Sequence, residues 1–178
     1  IDLRDNPLFV QSDYDDYAPI REFWKNIFRR QPTRLPDIPT QSIVINEVMA
    51  SNGSTIRDRY RDNPDWIELY NPGIEQFDLS GYYLSDDFDN LFKWEFPAGT
   101  AISGRGFLLI FASGKDQVTA GEIHTNFSIS SEGESLLLTA PDGTLVDYFP
   151  PIKQQRDISF GRMPNGYHEM VFFSEPTP

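Results

Sequence analysis

The stretch Ile43-Val44-Ile45-Asn46-Glu47-Val48-Met49-Ala50-Ser51-Asn52, followed by Asp65-Trp66-Ile67-Glu68-Leu69-Tyr70-Asn71-Pro72-Gly73, decides the fold. The first run reads as a strand with a polar pair, Asn46 and Glu47, set into its middle. Polar groups buried in a strand must be hydrogen-bonded. The pair is therefore expected to be structural and to tie the strand to the long loop 51–64. The second run reads as a strand that stops at a turn. Pro72 fixes φ for the first central position, and Gly73 is expected to accept positive φ at the second.

Working outward, the rest of residues 41–178 is a series of short apolar runs with turn residues between them. Strands are expected over 42–49, 65–70, 76–79, 82–85, 92–96, 107–112, 123–129, 135–139, 145–149, 158–162 and 167–172. A spacing of about ten residues is the rhythm of a β-sandwich. Asp142-Gly143 is the clearest hairpin turn, joining 135–139 to 145–149. Phe107-Leu108-Leu109-Ile110-Phe111 is apolar throughout and reads as a central strand. The expected fold is all-β, an immunoglobulin-like sandwich with an N-terminal extended and helical arm.

Residues 1–40 have a different character. They hold six Lys/Arg against seven Asp/Glu, whereas residues 41–178 hold nine against twenty, so the body carries −11 of the net −12. This shift marks a boundary near residue 40. Within the arm, Ile20, Phe23, Trp24, Ile27 and Phe28 fall at i, i+3, i+4, i+7 and i+8, the one amphipathic helix signal, over about 17–31. Pro19 suits its first turn, and Lys25, Arg29 and Arg30 favour its end. Pro32, Pro36 and Pro39 then space an extended connector. A helix this short needs a partner. The stripe can pack on its own sandwich, dock on another protein, or lie on a membrane surface.

Composition removes several function classes. Cysteine is absent, which excludes disulfides, thiolate metal sites and Cys nucleophiles. An isoelectric point near 4.4 disfavours binding to phosphate backbones, so no nucleic-acid partner is expected. No run approaches the roughly 18 apolar residues of a membrane span. The chain starts at Ile1 rather than Met and is expected to be a processed or cut product. No Gly-x-Ser-x-Gly, phosphate loop or His-Glu-x-x-His pattern occurs. His124 sits in a strand and reads as structural; His168 lies beside Glu169 with no serine or metal motif. No enzymatic activity is expected of this chain.

Asp86-Asp87-Phe88-Asp89-Asn90 is the metal candidate, with Asp86, Asp87 and Asp89 as oxygen ligands for Ca²⁺. It departs from an EF-hand, because Leu91 stands where the turn glycine belongs. Loops are ordinarily rich in Asp, which is the plainer reading. Asp58, Asp62 and Asp65 form a second cluster, where ion pairing with the interleaved Arg57, Arg59 and Arg61 is the simpler account. No other cofactor is expected. Arg162, between Gly161 and Met163, is expected to anchor the C-terminal strands to a carboxylate.

The order Ile45-Asn46-Glu47, Asp65-Trp66-Ile67-Glu68-Leu69-Tyr70-Asn71, Asp78-Leu79-Ser80-Gly81-Tyr82-Tyr83-Leu84-Ser85-Asp86 and Lys93-Trp94-Glu95-Phe96-Pro97 resembles the lamin tail domain family. The likeness continues through Gly106-Phe107-Leu108-Leu109-Ile110-Phe111-Ala112-Ser113-Gly114, His124-Thr125-Asn126-Phe127, Gly133-Glu134-Ser135-Leu136, Asp142-Gly143, Val146-Asp147, Ser159-Phe160-Gly161-Arg162 and Pro176-Thr177-Pro178. It spans about 43–178 and leaves out the arm. Without a heptad rod or prenylation motif, the resemblance is to the bacterial branch, whose members are mostly exported or surface proteins. It implies a non-catalytic interaction or scaffolding module, extracytoplasmic and bacterial, serving as a peripheral subunit of a larger, membrane-associated assembly. The alternative it leaves open is an accessory domain cut from a larger exported enzyme, such as a phosphoesterase, nuclease or kinase-like protein.

Overall fold

The computed structural model describes residues 42–178. The arm 1–40 and its expected helix lie outside the described residues. Within them the chain forms thirteen strands and no helix: β1 Val44–Met49, β2 Asp65–Tyr70, β3 Phe77–Asp78, β4 Tyr83–Ser85, β5 Trp94–Glu95, β6 Ala101–Ile102, β7 Phe107–Ala112, β8 Gln117–Thr119, β9 Glu122–His124, β10 Leu136–Thr139, β11 Leu145–Phe149, β12 Ser159–Arg162 and β13 Met170–Phe173. Seven of them make one sheet in the order β13-β12-β1-β2-β7-β9-β8; four make a second, β11-β10-β4-β5; β3 and β6 pair separately. Pairing is antiparallel except between β7 and β9. The two larger sheets face each other across one apolar core. It takes Ile45, Ile67 and Ile110 from the first sheet and Leu84, Trp94, Leu136, Leu138 and Phe149 from the second. This is an immunoglobulin-like β-sandwich.

β1 carries the irregularity that shapes everything near it. Its register against β2 runs Val44↔Tyr70 and Ile45↔Leu69, then Glu47↔Glu68, so Asn46 is an extra residue. Such a bulge changes which face every later side chain meets. Ile43 and Ile45 before it, and Val48 and Ala50 after it, all reach the inter-sheet core. Strict alternation from Ile45 would have sent Glu47 and Met49 there instead. The bulge puts them on the other face of the sheet, where Met49 joins Trp66 and Phe111 in a second apolar cluster.

That face is covered by the loop 51–64. Ile56 packs on the second cluster. Asn52 holds the loop in shape, its Nδ2 donating to the carbonyls of Ile56 and Pro64, both at 2.8 Å. The far end is pinned by the Arg59 N–H to Glu122 Oε2 at 3.1 Å and by Lys115, which pairs with Asp58 and Asp62. Although burial pushes Asp58 upward, the Lys115 ammonium and the N–H groups of Tyr60 and Asp62 hold its carboxyl below the usual value. The ion pairing expected in this loop is present, but it is made by Lys115 and not by the interleaved arginines.

Two sequence expectations are corrected here. Gly73 does not take positive φ. The turn is closed by the Asn71 side chain, whose Oδ1 accepts the Gly73 N–H at 2.9 Å while Nδ2 donates to Glu75, Ile102 and Ser103 carbonyls. An Asx-type turn replaces the glycine-dependent one. The run 123–129, expected as one long strand, is strand only to His124; Thr125 turns its N–H to the Phe111 carbonyl at 2.9 Å, and its hydroxyl donates to Phe127. The hairpin at Asp142-Gly143 forms as expected, with Gly143 at φ 85° and Asp142 Oδ1 accepting the Thr144 N–H.

Candidate functional site

The bulge leaves backbone groups that no ladder can satisfy, and a polar cluster collects around them. The pairing of β1 with β12 stops at Glu47, so Ile45 has no ladder partner on that side. Its N–H donates to Asp147 Oδ2 at 2.7 Å, and its carbonyl accepts Arg162 Nε at 2.9 Å. Arg162 Nη2 then meets both Asp147 oxygens at 3.0 Å, and Nη1 donates to the Tyr167 carbonyl at 2.9 Å. Arg162 lies on β12 of the larger sheet and Asp147 on β11 of the smaller. One buried ion pair thus satisfies the bulge and stitches the two sheets together.

Asn46 and Glu47 extend the cluster. Asn46 Nδ2 donates to Glu68 Oε1 at 2.8 Å and to Asn165 Oδ1 at 3.2 Å, and its Oδ1 accepts the Gly166 N–H at 3.0 Å. Glu47 accepts the Ser159 hydroxyl, the Thr177 N–H at 3.1 Å and the Thr177 hydroxyl at 2.6 Å. The expected tie to the loop 51–64 is therefore corrected. The pair anchors the C-terminal segment, and it can do so because the bulge turns both side chains away from the core. The loop is held instead by Gln154, whose Oε1 accepts the Ala50 N–H at 2.8 Å, and by Asp157 on the N–H groups of Gly53 and Ser54.

Glu68 stands directly across from Glu47 in the β1–β2 register. Burial, and then the neighbouring Glu47 charge, push its carboxyl up to about 7, with Asn46 pulling the other way. Asp65, at the start of β2, is pushed up to about 6 by burial against the N–H groups of Asn52 and Ile129. Asp65 and Asn63 also line two open cavities of about 450 and 250 Å³ beside the loop.

The Ca²⁺ candidate does not assemble. Asp86 pairs with Lys93, and Asp87 Oδ1 accepts the Asp89 N–H at 2.9 Å, closing its own turn. Among the described residues no group of three or more His, Asp or Glu could hold a metal ion. The partner-binding candidates Ile20, Phe23, Trp24, Ile27 and Phe28 lie outside the described residues.

One arrangement invites a catalytic reading that the sequence did not suggest. Ser113 Oγ lies 2.9 Å from His124 Nδ1, and His124 Nε2 lies 3.5 Å from Glu122 Oε2. A hydrolytic serine also needs free donors aimed at a developing oxyanion. The neighbouring N–H groups are already spent: Gly114 on the Phe127 carbonyl at 3.0 Å, Lys115 on Ser113 Oγ itself at 3.3 Å, Asp116 on the Thr125 carbonyl at 3.0 Å. The His124 ring is fully buried and stacks on Phe111. These groups hold the β7–β9 crossover.

Sequence reasoning missed Glu68, Asp147 and Lys115. Glu68 and Asp147 each occupy one position of an alternating strand, where a carboxylate ordinarily faces water. Lys115 meets its partners across more than fifty residues. Only the bulge, invisible in the pattern, gives the first two their role.

The lamin tail domain family model matches residues 36–152. The chain belongs to the lamin tail domain family, an immunoglobulin-like, non-enzymatic fold that often mediates interactions. The match begins earlier than the resemblance read from the sequence and stops before β12 and β13, which that resemblance included. No curated protein matches the chain.

Proposed function

We propose that this protein is a non-catalytic interaction module, a peripheral subunit held in a larger extracytoplasmic assembly at a bacterial membrane. The observation that carries the reading is that the polar groups gathered at the β1 bulge are consumed by the fold. Arg162, Asp147, Asn46 and Glu47 bind backbone and C-terminal residues and leave no convergent set of reactive groups around them. The family supports an interaction role. The resemblance to its exported bacterial members supports the compartment. The arm supplies the attachment: Ile20, Phe23, Trp24, Ile27 and Phe28 form a stripe that needs an apolar partner. That partner is a protein, with the membrane surface as a neighbour and nucleic acid disfavoured by the acidic charge.

Crosslinking the chain in its native membranes, with identification of the linked peptides, tests this. The expected result is a reproducible protein partner linked through residues 17–31. Crosslinks confined to the chain itself would overturn it, as would a hydrolytic turnover abolished by His124→Ala.

A further inference from the structure

We propose that strand β13, terminal in the seven-stranded sheet among the described residues, is a docking edge that takes an extended strand from another protein, apolar in its middle and basic at both ends. The proposal rests on the reading of the chain as an interaction module and adds a contact surface on the body.

The backbone supplies the first argument. β13 is the terminal strand of its sheet. The Met163 N–H donates to the Glu169 carbonyl at 2.9 Å, which sets the phase of the β12–β13 ladder. In an antiparallel pair the hydrogen-bonded positions alternate. Gly161 with Val171 and Ser159 with Phe173 therefore exchange the ladder bonds. Met170 and Phe172 turn their N–H and C=O groups outward, where no described residue meets them.

The side chains supply the second. Proteins blunt free edges with charge, proline, bulges or short length. The other edges of this sandwich are blunted: β8 has three residues, β5 has two, and β11 carries the inward-pointing Asp147. β13 reads Met-Val-Phe-Phe, with no charge and no proline. Phe172 and Met170 face inward, Phe172 against Phe160 and Met170 against the core. Val171 stays exposed.

Charge selects the occupant. Glu169 and Glu175 stand exposed just beyond the two ends of β13. A strand of about four apolar residues with lysine or arginine at each end would set its cations against them. A second copy of this chain would bring two more such carboxylates and a net charge of −12 against −12. Strand addition of this kind takes affinity from backbone bonds and specificity from the flanks.

The test uses the full chain and a synthetic strand of four valines with two lysines at each end, read by amide hydrogen exchange. The expected result is exchange at Met170 and Phe172 slowed at least about tenfold by the peptide. The effect should weaken in high salt and be lost in Val171→Lys, whose added cation repels the basic flanks. Phe172→Pro, which removes one outward N–H, should act in the same direction. Three results would overturn the proposal: no protection, equal protection by a strand ending in glutamates, or slow exchange at these amides before any peptide is added. The last would assign the edge to a second copy if the mass were dimeric, or to this chain's own residues 1–41 if monomeric. Partner crosslinks through residues 17–31 with no protection at β13 would sink the edge alone and leave the proposed function standing.

Discussion

At the scale of single residues, Arg162 and Asp147 differ from an ordinary buried ion pair. Such pairs can often be replaced by apolar residues at little cost, whereas removing one partner costs about 3–5 kcal/mol. Here both partners also serve the Ile45 backbone, through its N–H and its carbonyl. Arg162→Met should therefore destabilise by about 3–5 kcal/mol, and adding Asp147→Leu should not recover it, since two buried backbone groups stay orphaned. Urea titration of the single and double variants measures this. Full recovery in the double variant would mean that the ion pair does nothing for the bulge.

Glu68 sets a pH dependence whose sign can be worked out. Its folded value, about 7, lies above the ordinary 4.5, so the folded state holds a proton that the unfolded state releases earlier. Stability from this group is complete below about 4.5 and is lost as pH rises to about 7, after which it is flat. Asp65 acts in the same direction between the ordinary 3.8 and about 6. Asp58, held low, opposes them only in acid, where its contribution falls away. Thermal melts should give a higher midpoint at pH 5 than at pH 8. Glu68→Gln should flatten most of that slope by stabilising the protein at pH 8, by about 3 kcal/mol at most. An unchanged slope in Glu68→Gln would remove Glu68 as its source.

At the scale of elements, β1 shows what the pattern could and could not say. An apolar run broken by Asn46 and Glu47 announces a strand with a buried polar pair. It does not announce that Asn46 is an extra residue, because Ile43, Ile45, Val48 and Ala50 look out of phase until the bulge is inserted. The C-terminal partners of the pair, Asn165, Gly166 and Thr177, lie more than a hundred residues away, beyond any local signal. Short elements escaped for a different reason. β6 and β8 have two and three residues, too few for alternation to register. Pro72-Gly73 reads as a glycine turn in sequence, but the Asn71 side chain competes for the same N–H and closes the turn without positive φ. The Asp142-Gly143 hairpin was legible because a positive φ was truly required there. Deleting Asn46 should be far worse than replacing it. Asn46→Ala loses the hydrogen bonds to Glu68, Asn165 and Gly166, at about 1–3 kcal/mol. Deletion turns either Ile43 and Ile45 or Val48 and Ala50 out of the core. Circular dichroism should show a folded substitution variant and an unfolded deletion variant; a folded deletion variant with unchanged stability would refute the phase argument.

At the scale of the whole molecule, the sandwich was readable from turn spacing and alternating runs, since those are what two packed sheets impose on a chain. The partner was not readable, because recognition depends on a surface in another protein. What the chain itself offers is a body of −11 and a near-neutral arm with one aromatic stripe. The proposed function requires that this stripe bind outward. The most direct measurement is Trp24→Ala in the full chain, read for both partner capture and thermal stability. Loss of an aromatic anchor should weaken capture by about 2 kcal/mol, roughly 30-fold, with the melting temperature unchanged. Undiminished capture with a core-like loss of about 3 kcal/mol in stability would show that the stripe packs on its own sandwich, and would contradict the account.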